Sequence, residues 1–322
     1  MGIRYLNRFL KENASSSIKL AKLAELSGKK IAIDISIYIY KFAAEGTLIE
    51  NMYLMLSIFR NYNIIPIFIF DGKPPAEKCE LLLKRKEDKN KAEEEYNKLK
   101  TSLELNVNMD DNDKQEIIYN MDMLKKKFIS ISKNDIETIK RLITAYGATY
   151  YHAPGESDEL CVMLTMRGKV WACLSEDMDM FVYGCPRVIR YFSLLNHTAV
   201  IYDLKGILNN LGITQSELRE ICVLSGTDYN FQCDDSNTLT KTLKYFKKYH
   251  KSKSQICFYE WLNDNFKETI KDYEILVKIN NMFHLNIQHF NIKVFEKIRI
   301  ANDPILKDEI KSLLKNDGFL FP

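Results

Sequence analysis

A chain of 322 residues, 46% hydrophobic and 28% charged, has the make-up of a globular protein with one large core or two modest ones, which excludes a disordered or fibrous chain. The net charge of +3 leaves nucleic acid open as a partner, because what counts there is where Lys and Arg cluster, not their total. Seven cysteines form an odd set without a C-x-x-C pair, and no stretch approaches the roughly 18 apolar residues of a membrane span. The expectation is an intracellular chain with reduced, mostly buried thiols and no zinc site.

In chain order, the amphipathic segment Met1 to Leu10 precedes the first strand signal, Lys30-Ile-Ala-Ile-Asp34. A second apolar run, Ile64 to Asp71, stops at the turn Gly72-Lys-Pro-Pro75. Residues 73–146 carry no strand signal. Within them Ala76 to Lys100 is dense in Lys, Glu and Leu and free of Gly and Pro, which predicts a helix, and the polar Asn106 to Asp113 predicts a loop. Two further strands are expected at Ala148 to Tyr151, leading into His-Ala-Pro-Gly, and at Val170 to Leu174, leading into Ser-Glu-Asp-Met-Asp. Short apolar runs alternating with helix-length segments predict parallel strands joined by crossover helices. After Asp228 the pattern is helical. Ser236 to His250 carries Lys241, Lys244, Lys247 and Lys248 interleaved with Leu243, Tyr245, Phe246 and Tyr249, giving an apolar side for packing and a basic side for phosphates.

The strand ends and adjoining turns carry seven acids: Asp34, Asp71, Glu156, Asp158, Asp177, Asp179 and Asp228. Singly, each reads as a helix cap or first-turn acid. In open parallel sheets, however, ligands sit beyond the carboxyl ends of the strands, so acids placed there repeatedly point to one site. Like charges brought together raise each other's pKa unless a cation lies among them. Mg²⁺ takes hard oxygen ligands, and two such ions about 4 Å apart suit in-line displacement at a phosphodiester. No Gly-rich phosphate loop, G-x-S-x-G elbow or zinc-spaced His set competes with that reading.

The segments Met1-Gly-Ile, Ile33-Asp34-x-Ser36-x-x-Ile39-Tyr40, Phe70-Asp-Gly-Lys-Pro-Pro75, Ala153-Pro-x-Glu156-x-Asp158, Ser175-Glu-Asp-Met-Asp179 and Leu224-Ser-Gly-Thr-Asp228-Tyr occur in that order over the first 230 or so residues. In this the chain resembles the flap endonuclease / XPG family of structure-specific 5′ nucleases. The resemblance implies an α/β, PIN-like 5′-nuclease fold: a central, mostly parallel sheet flanked by helices, a helical arch or gateway over about 73–130 within a core at 1–228, and an all-helical lobe at 229–322 carrying a divergent helix–two-turn–helix. It implies that the seven carboxylates hold two Mg²⁺ ions, with Mn²⁺ as a substitute, and that Lys78 and Arg85 at the gateway base act on the reacting phosphate. DNA contacts are expected at Gly2, Tyr40, Lys73, Lys241, Lys244 and Lys248.

The chain also departs from the family pattern. Tyr229 to Lys241 has no glycine, where the family carries a Gly-rich hairpin that binds K⁺, so that site is doubtful here. Only 37 positions separate Asp34 from Asp71, too few for the wedge of flap endonucleases proper, and Lys311 to Pro322 shows no sliding-clamp motif. The implied partner is DNA with a 5′ end, flap or junction, met by a monomer in the nucleus or a cytoplasmic DNA-replication compartment. A 5′→3′ exonuclease, an RNA-directed nuclease of the same architecture and a non-catalytic DNA-binding scaffold remain open alternatives.

Overall fold

The computed structural model describes residues 3–105, 111–230, 238–266, 269–285, 297–316 and 318–319. Its strands are β1 (Ile18–Lys22), β2 (Lys30–Asp34), β3 (Ile65–Phe70), β4 (Thr149–His152), β5 (Ala172–Leu174), β6 (Arg187–Ser193) and β7 (Thr198–Asp203). They form one sheet in the order β1-β7-β6-β5-β2-β3-β4. The run from β4 to β6 is parallel, and β7 is antiparallel to both its neighbours. All four strands read from the sequence are present. The outer strands β1, β6 and β7 are additions: Lys interrupts the apolar alternation of β1 and Arg that of β6, and β6 and β7 are out of simple register where Tyr191 takes a positive φ of 55°.

Helices cover both faces, as a parallel sheet requires. On one face α1 (Leu6–Asn13) packs with α7 (Ser157–Met166), α8 (Asp179–Tyr183), α9 (Leu204–Leu211) and α10 (Gln215–Ser225). The same core runs on through α11 (Thr238–Ser252), α12 (Phe258–Asn265) and α13 (Tyr273–Met282) by way of Phe246, Phe258, Leu262 and Phe283. On the other face lie α2 (Ile35–Ala44), α3 (Leu48–Asn61) and α6 (Lys133–Ala145), joined by the late helix α14 (Lys307–Asn316) through Leu313 and Leu314. Helix α6 starts at a reciprocal cap in which Ser132 and Asp135 each accept the other's backbone N–H. Helices α2 and α3 occupy most of the interval between Asp34 and Asp71, and six residues of α3 are buried, so that interval is scaffold.

Helices α4 (Cys79–Leu105) and α5 (Asp111–Lys125) pack on each other as a hairpin beside the carboxyl ends of the strands. The long helix begins three residues later than its composition predicts, because Ala76–Lys78 is a 3₁₀ turn following two prolines. The loop expected over 106–113 is shorter than predicted at its far end, since α5 already starts at Asp111; residues 106–110 lie outside the described residues. Among the described residues no helix is long and apolar enough to cross a membrane, and of the cysteines Cys161, Cys173, Cys185 and Cys222 are buried free thiols while Cys79 and Cys257 are exposed.

Candidate active site

Strand β2 delivers Asp34 from a run of buried Ile and Ala, so the carboxylate arrives almost fully enclosed. Two hydroxyls compensate it: Ser157 Oγ donates to Oδ1 at 2.9 Å and Ser175 Oγ to Oδ2 at 3.1 Å. Burial, with Asp71 and Asp177 nearby, nevertheless pushes the Asp34 carboxyl up to about 7. Asp71 follows β3 and accepts from Ser36 Oγ at 2.5 Å and from the Ser157 backbone N–H at 2.9 Å. The ends of β3 and β4 are tied by Ala153 N–H to the Phe70 carbonyl, 2.9 Å, and Gly72 N–H to the Gly155 carbonyl, 2.7 Å.

Helix α7 opens directly after that tie. Glu156 is its N-cap residue but makes no side-chain cap bond, which leaves the carboxylate to Lys78 and to Tyr229, whose hydroxyl donates to Oε2 at 2.5 Å. Asp158 lies in the first turn. Past β5, the Ser175 hydroxyl accepts the Asp177 N–H at 3.1 Å and Asp177 Oδ1 accepts the Asp179 N–H at 3.0 Å, folding Asp177-x-Asp179 into a tight turn that starts α8. Burial is the main cause holding Asp158, Asp177 and Asp179 above the ordinary carboxylate range. Asp228, just after α10, receives Arg85 at 2.8 Å and Lys78 at 3.7 Å. Burial works against the Lys78 charge, but Glu156 and Asp228 overcome it and hold the ammonium above its usual value.

All seven acids therefore meet at one end of the sheet, and Lys78 and Arg85 stand among them. The helix expected from Ala76 would carry both cations. In fact Lys78 closes the 3₁₀ turn and Arg85 lies in α4, yet both reach Asp228. Among the described residues no three His, Cys, Asp or Glu side chains converge on a single ion position, and the two cations pair with Glu156 and Asp228. The donor set still fits a hard cation. Every donor is a carboxylate oxygen, and Asp158 Oδ1 and Asp179 Oδ1 are buried with no hydrogen-bond partner.

The remaining expected residues lie outside this cluster. Tyr40 is exposed on α2 and Lys73 is exposed on the turn after β3. Lys241, Lys244 and Lys248 line a groove of about 420 Å³ along α11 with Tyr245, Lys247 and Lys251, and Lys248 sits 4.9 Å over the Phe266 ring. Gly2 and residues 231–237, where the K⁺ hairpin was questioned, lie outside the described residues. The sequence motifs contain Ser36, Ser175 and Tyr229 without giving them a role, and the supporting part played by these three and by Ser157, each one or two positions from an acid, emerges only from the fold. Sequence reasoning missed Arg190, a buried guanidinium that donates to Asn7 Oδ1 at 2.9 Å and to the Glu176 carbonyl at 2.8 Å and so props the Asp177 turn.

A mostly parallel sheet with acids at its carboxyl ends and a helical hairpin beside them is the PIN-like architecture of 5′ nucleases. The same fold recurs in the catalytic core of Rad2 in complex with DNA substrate, at a TM-score of 0.63 and 17% identity over 98% of this chain and 94% of that one. It recurs too in human GEN1 in complex with Holliday junction DNA (0.61, 17%, 99% and 74%) and in flap endonuclease-1 from Methanococcus jannaschii (0.57, 20%, 93% and 97%). The XPG N-terminal domain matches residues 1–92 and the XPG I-region residues 147–228, and the chain belongs to the flap endonuclease / XPG family. Flap endonuclease 1 of Glycine max is 31% identical over 253 residues, covering 73% of this chain and 62% of that protein. That of Xenopus tropicalis is 28% identical over 247 residues, covering 71% and 61%. The match thus spans less than two thirds of those relatives' length.

Proposed function

We propose that this protein is a Mg²⁺-dependent, structure-specific nuclease that hydrolyses DNA phosphodiesters at 5′ flaps, ends or gaps and leaves 5′-phosphate and 3′-hydroxyl products. The observation that carries this reading is the meeting of seven carboxylates, drawn from five separate stretches of chain, with two cations among them. Asp34, Asp71, Glu156, Asp158, Asp177, Asp179 and Asp228 would hold two Mg²⁺ ions, or Mn²⁺ in their place. When bound, the ions supply an activated water and neutralise the leaving oxygen.

The chain's own side chains do the rest. Lys78 and Arg85 turn from Glu156 and Asp228 to the non-bridging oxygens of the reacting phosphate, whose charge grows in the transition state. The hydroxyls of Ser36, Ser157 and Ser175 hold Asp71 and Asp34 in place, and Tyr229 holds Glu156. Tyr40 stacks on a base, Lys73 meets a phosphate, and Lys241, Lys244 and Lys248 on α11 bind the duplex backbone. Gly2 adjoins the scissile phosphate. The core at 1–228 and the helices at 229–322 then divide catalysis from duplex binding in a monomer acting in the nucleus or another DNA-replication compartment. Because α2 and α3 occupy the Asp34–Asp71 interval with scaffold, gaps and ends are favoured over double flaps.

A panel of labelled 5′-flap, gapped, blunt-ended and RNA substrates in Mg²⁺ tests this. Cleavage of the gapped and flap DNA with 5′-phosphate products is expected, and activity confined to RNA ends would overturn it.

A further inference from the structure

Tyr5 precedes α1 with a φ of 63°, a left-handed backbone that an aromatic residue adopts only under strain. Tyr5 is 54% exposed, and its ring stacks on no other ring among the described residues. An exposed aromatic held in an unfavourable backbone state buries little and gains little for the fold, so its placement calls for another reason. The location supplies one. Tyr5 lines a cleft of about 530 Å³ that it shares with Arg4, Lys84, Arg85 and Asp228. That cleft therefore opens onto the carboxylate cluster on one side and is lined by four basic side chains, Arg4, Lys84, Arg85 and the buried Arg190, beside the acids Asp88 and Asp228, so it offers the flat ring and cations that single-stranded nucleic acid requires.

We propose that Tyr5 is a stacking platform for one nucleobase next to the reacting phosphodiester, with Arg4 and Lys84 facing the flanking phosphates. This rests on the nuclease reading and adds to it a base-binding subsite. The strain at Tyr5 also makes the role separable from folding. Glycine occupies φ near +60° freely, so Tyr5→Gly relieves strain while deleting the ring.

The test uses 5′-flap DNA carrying 2-aminopurine on either side of the cleaved linkage, bound in Ca²⁺ so that it is not cut. Wild type and Tyr5→Phe are expected to quench the probe at one of the two positions. Tyr5→Gly and Tyr5→Ala should lose the quench and bind about tenfold or more weakly, as for one lost stack. Tyr5→Gly should do so with a Tm at or above that of wild type. Tyr5→Gly and Tyr5→Ala variants that bind and quench like a wild type that cuts the flap in Mg²⁺ would overturn the stacking role alone. A wild type that neither binds nor cuts any flap would overturn it together with the nuclease reading.

Discussion

Asp158 and Asp179 each bury a carboxylate oxygen that nothing in the described chain satisfies, and Lys78 is drawn in among carboxylates that burial holds above their ordinary pKa. Such a site is electrostatically strained in one direction, with too much negative charge for its enclosure. In EDTA, Asp179→Asn should therefore raise stability and Lys78→Met should lower it, each by about 1–3 kcal/mol, read as opposite Tm shifts. Shifts of the same sign would contradict this charge balance. Asp34, Asp71, Asp177 and Asp179 were legible in the sequence because each comes shortly after an apolar run that reads as a buried strand, whereas Glu156 and Asp158 open a helix after a turn and Asp228 follows helix α10. The roles of Ser36, Ser157, Ser175 and Tyr229 were not legible, since a hydroxyl beside an acid is equally at home in a cap or a turn, and only the folded chain shows which carboxylate it meets.

A second titrating group lies away from the site. Burial on α10, with Glu217 close by, pushes the Glu220 carboxyl from 4.5 up to about 7. Between those values folded Glu220 holds more proton than unfolded Glu220, so this group's contribution to stability is greatest below about pH 4.5 and is lost as pH rises to 7. Glu220→Gln should remove that loss and raise stability at pH 8 by about 1 kcal/mol, a figure discounted for the partial exposure of the group. Denaturant titrations at pH 5 and pH 8 measure it, and equal pH dependence in variant and wild type would contradict it.

Among the elements, the tie between the ends of β3 and β4 matters most for the site, because it fixes Asp71 against Glu156. Its tightness depends on Gly72: a β-carbon there would meet the Ala153 carbonyl oxygen at 2.1 Å and the Pro154 carbonyl oxygen at 2.8 Å. Both are backbone atoms that cannot rotate away. Gly72→Ala should thus separate the two loops, lowering Tm by several degrees and cleavage by about a hundredfold. Unchanged cleavage would show that the tie does not set the acid geometry. Strands β2, β3 and β5 could be read from the sequence since a doubly covered strand is almost uniformly apolar, and the edge strand β4 from its Thr-Tyr-Tyr run ahead of the Ala-Pro-Gly turn. Strands β1 and β6 escaped because Lys19, Lys22, Arg187 and Arg190 break their pattern, and the mixed run of β7 gives no strong signal of its own, so tertiary pairing rather than propensity decides.

Across the whole molecule, a net charge of +3 conceals a segregation of acids at the strand ends from lysines on α11. If α11 meets duplex phosphates, replacing Lys244 and Lys248 together by Ala should weaken binding across sequences and reduce the slope of log Kd against log salt by about 2. An unchanged slope would place the duplex elsewhere. The basic face of α11 was legible from the spacing of its lysines. That α14 returns to pack on α6, across the sheet from α11, was not, since its amphipathic pattern fits either face and the choice depends on long-range packing.

The claim on which the rest depends is that the carboxylates form one catalytic centre. The most direct measurement is single-turnover cleavage of a labelled 5′-flap or gapped DNA in Mg²⁺ by wild type and Asp177→Ala, with binding checked in Ca²⁺. A fall of at least roughly a thousandfold in rate with DNA binding retained is the expected result. Equal rates would contradict it.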